Sequence, residues 1–422
     1  MKTETVEVLE IRLHDTHVGY LAGYQSGRNV MVFNEHYRQD PQRPTLTLTT
    51  HPAFPRASQV MASPWIRQQR LHPYFSNLLP EGALRDWLAQ TLKVHPDNEF
   101  PLLSQLGQDL PGAVVATPLA AEDIPDHVLA HRTHITPVKR THRPGQGFSL
   151  AGIQMKFSVR EREGRFHFNH ADTLGDWIIK TPSTRHRGVP VNEFTAMQLA
   201  EAGGIEIPEV RLATLGDLEG LPPISLPEEE WVYAIKRFDR LNGVRQHTED
   251  LAQVLFHYPH DKYGATNYEQ IGKLLRAYTQ DGLANIQQFA RRLLVNVLLA
   301  NGDAHLKNWS FLYPDQRTPV LSPAYDIVMT KAYIDDEQEI ALNLNGHKNW
   351  YRIGEEDFKD WAKTVGIPWA SIRVALNDTM RRARDLWPKL LVESPMLPEH
   401  QALLKAHWRQ LPPEWRIDTA PE

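Results

Sequence analysis

The chain opens on a period-two pattern. Val6, Val8, Ile11 and Leu13 sit in a roughly alternating stretch, Val18-Gly19-Tyr20-Leu21 follows a turn signal, and Val30-Met31-Val32-Phe33 is a short apolar run. This spacing predicts a small antiparallel sheet. Helical spacing follows, at Leu84, Trp87, Leu88 and Leu92 and again at Leu102, Leu103 and Leu106 before Gly107. From about residue 120 to about 146 the chain is punctuated by Pro125, Pro137, Pro144 and Gly145 and reads as a linker or surface loop. Alternation returns on both sides of Glu163-Gly164, predicting a hairpin. Trp177-Ile178-Ile179-Lys180 predicts a buried strand stopped by Pro182, and Trp231 to Ile235 another. Between them Asn192 is placed to cap a helix running to Ala202, with Gly203 at its end. The rest is helical in pattern. Ile286, Phe289, Leu293, Leu294, Val297 and Leu298 mark one face of a long amphipathic helix, and Trp361 to Ala375, Asp378 to Leu386 and Leu403 to Trp408 continue the period.

This order divides the 422 residues into an α/β module over 1–125, a β-rich lobe over 126–240 and a helical lobe over 241–422. Composition narrows the chemistry. With 41% hydrophobic and 23% charged residues the chain has the makeup of a folded protein. Its formal charge of 46 − 51 = −5 argues against coating nucleic acid through bulk charge. The absence of cysteine excludes disulfides, a thiolate nucleophile, iron–sulfur clusters and thiolate zinc sites. The start of the chain lacks the apolar core of a signal peptide, and the longest apolar stretch, Leu293 to Ala300, is short and broken by Asn296. A cytoplasmic protein without membrane segments is expected. His131, His134 and His142 fall in the loop region without a carboxylate at ligand spacing, so no metal site is assigned to them.

Candidate chemistry concentrates after the long helix, in Asn301-Gly302-Asp303-Ala304-His305-Leu306-Lys307-Asn308. Its Asp-x-x-x-x-Asn spacing is that of the protein-kinase catalytic loop, where the Asp accepts a hydroxyl proton and the Asn holds magnesium. Asp326 follows in Pro323-Ala324-Tyr325-Asp326, a second carboxylate of the kind a magnesium site requires. Upstream, Lys180 ends a buried strand and Glu193 opens the next helix. Such a lysine can reach phosphates as a point charge, held by the glutamate. Singly, a strand-terminal lysine is by default a solvated strand end and an Asp in an Asn-Gly-Asp turn a turn former. The ordered set Lys, Glu, Asp-x₄-Asn, Asp carries more weight. There is no Gly-rich P-loop with its lysine.

With Ser149-Leu150-Ala151-Gly152-Ile153-Gln154-Met155-Lys156, Ile178-Ile179-Lys180, Asn192-Glu193-Phe194, Arg237-Phe238-Asp239-Arg240, the Asn301 to Asn308 loop and Pro323-Ala324-Tyr325-Asp326, the chain resembles the HipA-type toxin kinases of bacterial toxin–antitoxin systems. His17 to Leu21, Phe75 to Glu81 and Leu103 through Val114 resemble that family's N-terminal subdomain. The resemblance implies an α+β, bilobed protein-kinase-like fold with an N-terminal α/β subdomain and a mainly helical C-terminal lobe. It implies ATP as co-substrate and Mg²⁺ as cofactor, with Asp303, His305 and Lys307 as the catalytic group and Asn308 and Asp326 as metal ligands. The nucleotide would be held by Ser149, Ala151, Gly152, Ile153, Gln154, Lys156 and Lys180, with Lys236, Arg237 and Phe238 forming a hinge near adenine. Ser149 matches the family's autophosphorylated serine. Phosphorylation there adds about −1.5 to −2 charge where phosphates must bind, so it is expected to inhibit. The implied substrate is a serine of a translation component, of the aminoacyl-tRNA synthetase class, and the implied partner a helix-turn-helix antitoxin, with operator DNA contacted only in that complex. Arg185-His186-Arg187 and Met380-Arg381-Arg382-Ala383-Arg384 are the basic clusters nearest to such roles, against a default of solvated surface. Two other functions remain open: a small-molecule kinase, and a non-catalytic DNA-binding co-repressor.

Overall fold

The computed structural model describes residues 2–130, 135–139, 150–151, 156–168, 174–221, 224–264 and 266–418. The chain divides into two compact units. The first combines residues 1–150 with 239–260 and 312–318, and the second holds 151–238, 261–311 and 319–422.

In the first unit β1 (Lys2–Leu13), β2 (Thr16–Tyr24), β3 (Arg28–Phe33) and β4 (Trp65–Gln68) form an antiparallel run. β5 (Val114–Pro118) pairs antiparallel with the far half of β1, giving the order β4-β3-β2-β1-β5. β6 (Ile135–Lys139) pairs parallel with the near half of β1. Part of the expected linker is therefore a strand. Its partner lies more than a hundred residues away, and parallel pairing leaves no local turn to read. Because successive strand residues face opposite ways, the sheet supplies two cores. Leu9, Ile11 and Leu13 pack with Leu102 and Leu103, whereas Val6 and Val8 pack with Ile124 and Val128. The two expected helices are α1 (Gly82–Leu92) and α2 (Glu99–Leu106). Gly107 closes on β5, where an added Cβ would stand 2.0 Å from the Ala116 carbonyl.

The second unit begins with a sheet ordered β10-β12-β9-β7-β8-β11. Its strands are β7 (Lys156–Arg162), β8 (Arg165–His167), β9 (Trp177–Lys180), β10 (Val210–Thr214), β11 (Leu218–Glu219) and β12 (Trp231–Lys236). One face buries Val159, Trp177, Ile179, Val232 and Ala234. α3 (Val189–Ala202) packs on β10 and β12. It starts before Asn192, at Gly188 with Pro190 in the first turn. Proline is pre-shaped for that position and needs no N–H partner there. Asn192 is thus inside the helix rather than its cap, and its amide bonds the backbone of Met329 and the hydroxyl of Tyr333.

The remainder is mainly helical, with α4 (Tyr268–Tyr278), α5 (Gly282–Leu298), α6 (Glu355–Val365), α7 (Trp369–Glu393) and α8 (Pro398–Gln410) beside a few short strands. The expected single helix from Trp361 to Ala375 is two. Gly366 takes a left-handed φ of 82° and Pro368 precedes the next helix, which ends one rod and starts another. The buried helix α5 ends with carbonyls that lack intrahelical partners. The His407 ring contacts the Val297 carbonyl at 2.7 Å, and the Trp408 indole N–H donates to Leu298 at 2.8 Å. That support fixes the point where the polar loop departs. Among the described residues no helix is long and apolar enough to cross a membrane.

Candidate functional site

The loop leaves α5 through Ala300, held at a left-handed φ of 50°. A non-glycine residue tolerates that conformation only where its surroundings enforce it. Asn301 reaches back to Asn296 at 2.8 Å and accepts the Asp303 N–H at 3.0 Å. The Gly302 N–H donates to Thr330 at 2.7 Å, and a Cβ on Gly302 would fall 2.2 Å from a Glu337 oxygen. The Ala304 carbonyl accepts from the Tyr268 hydroxyl at 3.0 Å and the Trp309 indole at 2.9 Å. Asn308 donates its amide N–H to the Asp303 carbonyl at 2.7 Å, leaving its amide oxygen for another partner. The Asp303 side chain stays 42% exposed, so its carboxylate is open to a reactant.

Across from this loop lies a cluster of alternating charge. Lys156 and Lys180 occupy directly opposed positions on β7 and β9. Like charges in that register repel. Asp326 resolves the conflict, pairing one carboxylate oxygen with Lys180 and the other with Lys156 at 2.8 Å. Lys180, which is buried, also pairs with the buried Glu193 in the first turns of α3. Burial works to raise the Asp326 pKa, but Lys156 and Lys180 with their hydrogen bonds outweigh it and hold the carboxyl well below its ordinary range. Glu193 shifts the other way, raised by burial despite Lys180. Asp326 also has a left-handed φ of 54°. The expected lysine–glutamate partnership is present, and Lys156 and Asp326, 170 positions apart, are joined as well.

Asn296, Asn301, Ala304, Asn308, Tyr325 and Asp326 line one recess of this unit. The Tyr325 hydroxyl donates to the Lys307 carbonyl at 2.8 Å and meets Ser310 at 2.5 Å, tying the segment before Asp326 to the loop. Oxygen donors from an amide and an ionised carboxylate on one recess suit magnesium, which binds few protein ligands and leaves the rest to phosphate and water. Among the described residues no group of three His, Cys, Asp or Glu is placed to hold a metal by itself.

The remaining candidates are distributed. His305 is buried, its ring nitrogen 3.8 Å from the Asp303 carboxylate, beyond hydrogen-bond distance. Lys307 is partly exposed and contributes its carbonyl to Tyr325. At the expected hinge, Lys236 is turned to Glu209 at 3.5 Å, Arg237 donates to the Ser158 hydroxyl at 2.9 Å, and the Phe238 ring lies 5.6 Å from that of Tyr325. Ser149, Gly152, Ile153 and Gln154, and the three loop histidines, lie outside the described residues; Ala151 is described as strand backbone. One polar contact had no signal in the sequence. The Tyr263 hydroxyl donates to the Asp303 carboxylate, from a turn forty residues upstream.

Fold and site together define an α+β protein with a kinase-like arrangement of lysine, glutamate, aspartate and asparagine. Residues 148–387 match the HipA-like C-terminal domain and residues 9–117 the HipA N-terminal domain. The chain is 39% identical over 385 residues, 90% of its length and 91% of the relative's, to Y4dM of Sinorhizobium fredii, provisionally named a kinase. It is 24% identical over 97% of its length, and 95% of the relative's, to the serine/threonine-protein kinase toxin HipA of Shewanella oneidensis. A solved structure of the Shewanella oneidensis toxin–antitoxin complex of HipA, HipB and operator DNA superposes with a TM-score of 0.69, at 22% identity and covering 94% of both chains. The chain belongs to the HipA-type kinases.

Proposed function

We propose that the chain is an ATP-dependent serine/threonine protein kinase that acts as a toxin on a serine of a translation component, of the aminoacyl-tRNA synthetase class, in the cytoplasm. The observation that carries this reading is the convergence of Asn308 and Asp326 on one recess, next to the Lys180–Glu193 pair. In this reading Asp303 takes the proton of the acceptor hydroxyl, and its exposure leaves room for that hydroxyl. Asn308 is oriented by its bond to the Asp303 carbonyl so that its free oxygen serves as a metal ligand. Asp326, kept ionised by two lysines, is the second ligand. Magnesium, when bound there, supplies positive charge to the β- and γ-phosphate oxygens. Lys180 binds phosphate as a point charge held by Glu193, and Lys156 together with Ser149, Ala151, Gly152, Ile153 and Gln154 forms the phosphate loop. Lys236, Arg237 and Phe238 form the adenine hinge. His305 and Lys307 shape the loop around Asp303.

The Shewanella oneidensis relative is named a toxin, and its solved complex contains HipB and operator DNA. An antitoxin partner of the HipB kind is proposed here on that basis. DNA contact is assigned to that complex because the basic cluster on α7 already has partners. Arg381 and Arg382 bond Asp378 at 2.7 and 3.0 Å, and Arg384 donates to the Glu414 carbonyl at 2.7 Å. Ser149 is proposed as an inhibitory autophosphorylation site.

The test is transfer of label from γ-labelled ATP to proteins of a bacterial lysate, with phosphopeptide mass spectrometry and Asp303→Asn as control. The expected outcome is phosphoserine on a translation component and on Ser149, lost by about 10²–10⁴-fold in the control. Label on small molecules alone would support a small-molecule kinase, and unchanged labelling in Asp303→Asn would remove Asp303 from the chemistry.

A further inference from the structure

Tyr263 is 45% exposed, yet it is held from three sides. Its ring stands edge-on to the buried His305, with centroids 5.0 Å apart and planes at 86°. The neighbouring Lys262 carbonyl accepts the Leu306 N–H at 3.2 Å, so the turn carrying Tyr263 is stitched to the polar loop by backbone. The Lys262 ammonium lies 5.7 Å from the ring centroid. From this mount the phenol O–H donates to one oxygen of the Asp303 carboxylate.

A half-exposed aspartate on a loop otherwise rotates among several side-chain orientations. Asp303 has its backbone fixed by Asn301 and Asn308, which leaves the carboxylate plane undetermined. A single donor on one oxygen settles that plane and leaves the other oxygen's lone pairs for a proton. Proton transfer requires the base within hydrogen-bond distance of the acceptor, and small errors of placement are costly in rate.

We propose that Tyr263 is the positioning residue of the catalytic carboxylate: its hydroxyl fixes one oxygen of Asp303 so that the other faces the acceptor hydroxyl. The ring and the hydroxyl have separate tasks. The ring, packed on His305, sets where the O–H stands. The O–H sets the orientation of Asp303. This inference rests on the reading of Asp303 as the base, and it adds a residue that motif spacing does not include.

The purified full-length chain, assayed for Mg·ATP turnover with water as acceptor, tests it through Tyr263→Phe, Tyr263→Ala and Asp303→Asn. Tyr263→Phe keeps the ring and removes only the O–H. It is expected to lower kcat about tenfold with KM for ATP within about twofold of the parent, since lost orientation acts on the transition state and not on nucleotide binding. Tyr263→Ala should lose at least as much. Wild-type or faster turnover in Tyr263→Phe overturns the proposal, the faster result showing that the phenol blocks the base. A fall in Tyr263→Phe that resides in KM overturns it as well. If Asp303→Asn keeps full turnover, the base assignment fails and the inference with it. Loss in Asp303→Asn beside an unaffected Tyr263→Phe rejects Tyr263 alone.

Discussion

Glu249, buried in the first unit, and Asp326, part-buried in the second, are carboxyls held in opposite ways. Glu249 is 1% exposed and is bonded by neutral groups, the Leu48 N–H at 2.8 Å and the Tyr313 hydroxyl. Burial raises its pKa to about 7 even though these donors oppose it. Asp326 sits between two ammonium groups and is held far below its ordinary value against its own burial penalty. At Glu249 the neutral donors only soften the cost of burial, whereas at Asp326 the two counter-charges outweigh it. At Asp326 the negative charge is kept by lysines. A position that ties segments together manages with hydroxyls and an N–H, and its charge then follows the pH.

The largest expected effect that tests this contrast is Lys180→Met. It leaves Glu193 buried beside Asp326 without their shared cation, and should cost roughly 3–5 kcal/mol in chemical denaturation followed through the second unit. A loss below about 1 kcal/mol would show that the cation is not what keeps the cluster together. Next is the pH dependence at Glu249. Its folded pKa stands above its ordinary value, about 7 against 4.5. The folded state therefore holds the proton more tightly, and this group's favourable contribution is complete below pH 4.5 and is lost as pH rises through 7. Over that window the loss is about 3 kcal/mol. Glu249→Gln keeps an acceptor and removes the titration, so urea unfolding at pH 5 and pH 8 should show the wild type's fall greatly reduced in the variant. Equal falls would mean that the acid ionises there without penalty. The smallest effect is Lys156→Ala. That lysine is 52% exposed, so the pair should contribute under about 1 kcal/mol to stability and weaken with salt. A loss comparable to that of Lys180→Met would make the two lysines equivalent and break the distinction between buried and screened partners.

What the sequence disclosed depended on distance along the chain. β9 with its terminal lysine, the helix bearing Glu193 and the loop from Asn301 to Asn308 were legible because each is set by local periodicity and by the residues within it. The start of α3 was also local, and Pro190 would have placed it better than Asn192 did. Gly366 and Pro368 likewise mark the break between α6 and α7 inside an otherwise continuous helical pattern. By contrast, β6 on β1, Lys156 on Asp326 and Tyr263 on Asp303 are contacts between distant segments. Period and caps carry no information about such partners. The strain at Asp326 was hidden for a related reason. Nothing in Tyr325-Asp326-Ile327 calls for a left-handed backbone, and the residues that enforce it come from other elements.

The alternation of the chain between units has a consequence for synthesis. Residues 239–260 and 312–318 complete the unit that residues 1–150 begin. At a ribosomal rate of about 5–20 residues per second, roughly ten to thirty seconds separate the appearance of residue 150 from that of residue 318. For most of that interval the nascent N-terminal segment lacks Tyr313, and for the earlier part Glu249 as well, both of which are buried in the finished unit. The segment made first thus waits on chain made much later before its unit is whole, and a chain cut after residue 150 is a fragment of a domain, not a domain.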